Sequence, residues 1–144
     1  MDRVAKLLAV VGISMLCMFS NLAKSKTTPI PGEFDIAMKS RTCGLVLLSE
    51  GRATVRAGNM ERGMADLVSA FALLQDGRTL EDKTTARTAS QKILSSSPAT
   101  RATEISTCRH WLEQRKIQSN FSRTEADQWN WVNQAQLTIQ TERQ

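Results

Sequence analysis

Beyond about residue 35, apolar residues return every three or four positions, the period of a helix that keeps one face in a core. From Asp35 to Arg56, residues Ile36, Ser40, Cys43, Leu47 and Thr54 fall along one side, and the central run "GLVLLSEG" is apolar almost all round. That predicts a helix buried on more than one face. After Gly58, Asn59 is a good N-cap, and Met60, Met64, Leu67, Phe71 and Leu74 form the stripe of a second helix that stops at Gly77.

A third helix is expected from Thr79, as cap, to Ser95. Its stripe of Leu80, Ala86, Ala89, Ile93 and Leu94 is thin, so it should be the most exposed. Ser97 followed by Pro98 predicts the next start, because proline at the first helical position sacrifices no needed hydrogen bond. That fourth helix places Ile105, Cys108 and Leu112 on one face. In "NFSRTEADQWNWV", Ser122 and Glu125 have the spacing of a capping box. The fifth helix then carries Ala126, Trp129, Val132 and Ile139 inward, with Trp131 displaced to the flank as the candidate partner contact, since tryptophan is enriched where proteins bind one another.

No stretch sustains the two-residue alternation of a half-buried strand. The expected fold is all-α, a compact bundle of about five helices or a short stack of helical hairpins over residues 35–142. Ahead of it, "KSKTTPIPGEF" (24–34) holds two prolines and a glycine and reads as a flexible leader.

The N-terminus changes the picture of where this domain works. Arg3 and Lys6 precede an uncharged, largely apolar run from Leu7 to Phe19, 13 residues long. That suits the core of a signal peptide and is short of the roughly 20 residues of a spanning helix. Residues 1–23 are therefore expected to direct export and be removed, by a cut after Ser20 or Ala23. If they stay, they anchor the domain to the membrane. The location is then periplasmic or extracellular.

Residues 44–76 resemble one tetratricopeptide repeat. Gly51 falls at the glycine of the first helix, Gly58-Asn59 at the turn, Gly63 at the small residue of the second helix, Leu67 at its large apolar position and Ala70 at the closing alanine. Leu47, Glu50, Thr54 and Gln75 stand where tryptophan, leucine, tyrosine and proline are usual. A step of about 34 residues, the length of such a repeat, reaches Thr85, Ser97 and Glu104, so no second copy follows in register. The resemblance implies a tightly packed hairpin of the kind used in protein–protein interaction.

Charge and chemistry narrow the function. Residues 24–144 carry 17 Lys and Arg against 13 Asp and Glu, interleaved, with no run of five like charges. A nucleic-acid partner is not expected. Removing the leader removes Cys17 and leaves Cys43 and Cys108, an even pair that in an exported chain predicts a disulfide.

His110 is the single histidine, two positions from Cys108 and on another face of the helix, so no metal site and no cofactor are expected. Glu50 is the one acid in the apolar run; buried, it could serve as a general acid on a glycan, but no second framed acid accompanies it. "LLQDGRTLEDK" lacks the ligand spacing of a calcium loop. No catalytic residues are expected. The chain reads as an exported binding protein, an accessory or assembly factor of a cell-envelope complex such as a secretion or conjugation apparatus. A secreted effector or inhibitor of a foreign partner is the alternative, and a glycan-cleaving enzyme is the third reading.

Overall fold

The computed structural model describes residues 32–144, so the signal-peptide and anchor readings of residues 1–23, and the leader as far as Pro31, lie outside the described residues. Within them the chain is all-helical: α1 (Glu33–Arg56), α2 (Met60–Asp76), α3 (Lys83–Leu94), α4 (Pro98–Ile117) and α5 (Glu125–Glu142). Glu33 and Phe34, assigned by composition to the leader, are the first residues of α1. None of these helices is long and apolar enough to cross a membrane.

α1 is the hub and packs against each of the other four helices. Its buried residues, Ala37, Ser40, Cys43, Gly44, Val46, Leu47, Gly51 and Val55, cover more than one face, as the apolar run predicts. The turn into α2 is made by Gly58 at φ 92°, and Asn59 caps α2 by accepting from the Arg62 amide at 3.1 Å. α1 and α2 then run antiparallel at very close range. A Cβ added at Gly51 would lie 2.8 Å from Leu67 Cγ, and one at Gly63 would lie 3.1 Å from the Gly51 carbonyl oxygen. The second contact is with backbone, which cannot swing aside, so any side chain at Gly63 must spread the hairpin.

The main core joins Val46 and Leu47 of α1 to Leu73 of α2, Ile105 and Leu112 of α4, Phe121 of the α4–α5 turn, and Trp131 of α5. Each fully buried side chain of this size contributes roughly 1.5–3 kcal/mol relative to exposure. Ile105, Cys108 and Leu112 are all buried, and Ser97 and Pro98 open α4 as the sequence predicts.

Two further helix starts differ from expectation. α3 begins at Lys83 and not after Thr79, because Asp82 is the cap: its carboxylate accepts from the Thr84 amide at 3.0 Å and the Thr85 hydroxyl at 2.8 Å. The residues before it stay non-helical and seat Leu80 beside Ala37 and Ala86. α5 is capped by Thr124, which accepts from the Asp127 amide at 3.1 Å, and not by Ser122.

The face of α5 also differs. Trp131 is 6% exposed and Trp129 is 67% exposed, the reverse of the sequence reading that gave Trp131 to a partner and Trp129 to the core. The inward side runs Asp127, Trp131, Ala135, Thr138 and Glu142, with an acid at each end, and the predicted Val132 and Ile139 are half-buried beside it, Ile139 against Val55 and Leu67. Both acids are tied to other helices. Asp127 accepts from Gln75 Nε2 of α2 at 2.8 Å, and Glu142 accepts from Arg56 Nη1 at 3.1 Å and from Arg52 Nε. Trp131 is buried with its indole N–H satisfied, donating to Gln75 Oε1 at 2.6 Å.

Hydrogen bonds from Ser122, then Thr124, then Gln75 hold the Asp127 carboxyl at a pKa of about 2, against an ordinary 3.8. A depressed folded-state pKa means that this support is complete above the ordinary value and is lost as pH falls from there through about 2. A carboxyl-carbon NMR titration should therefore place the Asp127 midpoint near 2; a midpoint near 4 would show that the end of α5 is not tied in this way.

Candidate functional site

Concavities with charged lining residues lie at one end of the bundle and along α2. The first is a pocket of about 250 Å³ at one end of the bundle, between the start of α1, the end of α2, the α4–α5 turn and Trp131. Arg115 of α4 and Asp76 of α2 line it. Arg115 is 2% exposed and bidentate on Asp76, with Nε to Oδ2 at 2.6 Å and Nη2 to Oδ1 at 2.8 Å.

The remaining partners complete a chain of bonds. Asp76 Oδ2 also accepts from the Ser40 hydroxyl at 2.5 Å, Ser40 accepts from Trp111 Nε1 at 3.0 Å, and Arg115 Nη1 donates to Gln118 Oε1. Lys39 stands over the Trp111 ring, 4.3 Å from its centroid. The buried charges are spent on each other, so this pocket has a polar floor that is already satisfied, and its chemistry is structural. Sequence reasoning missed it, although the signal was there: Arg115 continues the Ile105, Cys108, Leu112 stripe at the next three-residue step.

The second place is a groove along α2. α4 and α5 both pack on α2 and do not pack on one another, which leaves part of α2 open between them. Val68 and Ala72 floor one end, Leu112 of α4 and Val132 and Trp131 of α5 wall it, and Phe121 closes it, around a pocket of about 360 Å³. Its charged lining residues are both cations, Lys116 and Arg123. Towards the start of α2 the groove continues in a depression that shares Ser69 and Leu112 with the pocket and is bordered by Arg62, Asp66, Arg109, His110 and Glu113.

The cations of this groove differ in how well they are matched. Arg109 is held bidentate by Asp66, at 2.9 and 2.8 Å, and Lys116 pairs with Glu113 at 2.9 Å. That last pair is exposed and worth little. Arg62 and Arg123 make no ion pair among the described residues. An apolar pocket with unmatched cations at both ends is suited to an apolar residue flanked by negative charge.

The residues singled out from sequence fall as follows. Cys43 and Cys108 stand at disulfide distance, with sulfurs 2.15 Å apart and Cα atoms 5.0 Å apart, joining the middles of α1 and α4. Trp131 is not an exposed contact but part of the groove wall, and Trp129 beside it is the exposed ring. His110 is exposed and lies near Gln114, with 3.3 Å between the nitrogens. Glu50 is half-buried, and it makes no ion pair among the described residues. Among the described residues no group of three or more His, Cys, Asp or Glu is placed to hold a metal ion. No protein-family model matches the chain, and no curated protein or solved structure matches it either.

Proposed function

We propose that this chain is a small exported binding protein, an accessory or assembly factor of a cell-envelope complex such as a secretion or conjugation apparatus, and that it works by recognition rather than catalysis. The observation that carries the reading is the contrast between the two concavities. The charged lining of the end pocket is balanced, Glu33 and Asp76 against Arg78 and Arg115, whereas the apolar α2 pocket has only cations, Lys116 and Arg123, among its charged lining residues. The Leu7–Phe19 run and the Cys43–Cys108 pair support an exported setting, periplasmic or extracellular, and the close α1–α2 hairpin supports the tetratricopeptide-like comparison.

Affinity capture from the native envelope of the source cells, with the intact chain as bait, tests the proposal. A component of a larger assembly should be enriched over a bait-free control. Failure to enrich any envelope protein would sink it.

A further inference from the structure

We infer that the occupant of the α2 groove is an acidic amphipathic helix of a partner protein, seated with one or two apolar side chains in the pocket by Leu112 and Val132 and its carboxylates on Arg123 and Arg62. The inference rests on the binding reading above and adds the partner's chemistry.

Charge complementarity selects the sign. The groove is lined by Arg62, Arg109, Lys116 and Arg123 against Asp66 and Glu113, a formal excess of two positive charges. Arg62 and Arg123 lie at its two ends and make no ion pair among the described residues, so acidic residues meet them without first breaking a bridge.

Shape selects a helix over an acyl chain. An anionic amphiphile would also put a charged head beside Arg123, but its tail would then run past Arg62, Asp66, Arg109 and Glu113, which line the groove beyond Ser69. An amphipathic helix tolerates those charges, because it needs an apolar residue only once per turn or so. The eleven residues of α2 from Arg62 to Ala72 span about 15 Å at the helical rise, room for roughly three turns of a partner. Trp129, 67% exposed on α5, lines a neighbouring depression with Glu125, Gln128 and Val132, the last two of which also line the groove.

The test uses a helical probe of about 15 residues built from Glu, Leu and Ala, with leucines at three- and four-residue spacing, and its Glu→Lys counterpart. Phosphatidylglycerol vesicles serve as the lipid alternative. By calorimetry the acidic probe should bind the full chain, weaken with added salt, and bind at least about tenfold more tightly than its lysine counterpart. Arg62→Glu with Arg123→Glu, both at exposed positions, should lower its affinity by about tenfold or more with no change in helical content.

Equal binding of both probes, no binding of either, or unchanged affinity in the double variant overturns the inference. Binding to the vesicles without binding to the acidic probe overturns it in favour of a lipid surface. Capture of the same envelope partner by wild type and double variant overturns the groove while leaving the binding reading intact. Binding of the acidic probe by a chain that captures nothing from the envelope sustains the groove inference while that reading fails.

Discussion

Asp76→Ala is expected to destabilise the protein by about 3–5 kcal/mol, the cost of leaving one member of a buried ion pair without its partner. Asp76 is the acceptor for two nitrogens of Arg115 and for the Ser40 hydroxyl, and Arg115 has 2% of its side chain exposed. Removing the carboxylate leaves a buried guanidinium with Gln118 as its remaining hydrogen-bond partner. A domain of this size holds about 5–15 kcal/mol in all, so the variant should lose a large share of its stability.

The paired replacement Asp76→Leu with Arg115→Met should cost far less than Asp76→Ala, because desolvating two charges offsets most of what their attraction returns. Chemical denaturation of the three proteins separates the effects. An Asp76→Ala variant within about 1 kcal/mol of wild type would show that Arg115 is not buried against Asp76, and the end pocket would again be open to a ligand role.

Removing the covalent tie between Cys43 and Cys108 is expected to cost a comparable amount. Closing a loop with a sequence separation of 65 residues restricts the unfolded chain by about 4 kcal/mol in the chain-entropy model. Both sulfurs are in the main core, among Leu47, Ile105 and Leu112, so small side chains there add a packing loss. Cys43→Ala with Cys108→Ala should therefore unfold at clearly lower denaturant than wild type, and wild type should fall towards the variant when denatured in reductant. Coincident curves with and without reductant would mean that the two thiols contribute as apolar groups alone.

The effect bears on function through α4. That helix packs chiefly on α1, and it supplies Leu112, Lys116, Arg109 and His110 to the groove. Loosening it from α1 moves one wall of the groove relative to α2.

The sequence made the helical class, the α1–α2 turn at Gly58-Asn59, the α4 start at Ser97-Pro98, and the Ile105, Cys108, Leu112 face legible, since each depends on local chemistry: period, cap or proline. α5 resisted because its inward stripe begins with Asp127 and ends with Glu142, residues that look solvent-facing until Gln75 and Arg52 are brought to them from other helices. The same cause hid Trp131, whose burial depends on Gln75 accepting its indole hydrogen. The start of α3 was misplaced because the burial of Leu80 against Ala37 is a tertiary contact that no local propensity reports. The groove was invisible for a similar reason: it exists only because α4 and α5 flank α2 without meeting.

The clamp between α4 and α1 is central, because α4 supplies one wall of the groove. Non-reducing tryptic mapping of the protein isolated from its source cells tests it most directly. Cleavage at Arg41, Arg52, Arg101 and Arg109 yields the segments 42–52, with Cys43, and 102–109, with Cys108. The account predicts that they are recovered as one joined species that separates on reduction. Recovery of the two segments apart, each with a free thiol, would contradict it.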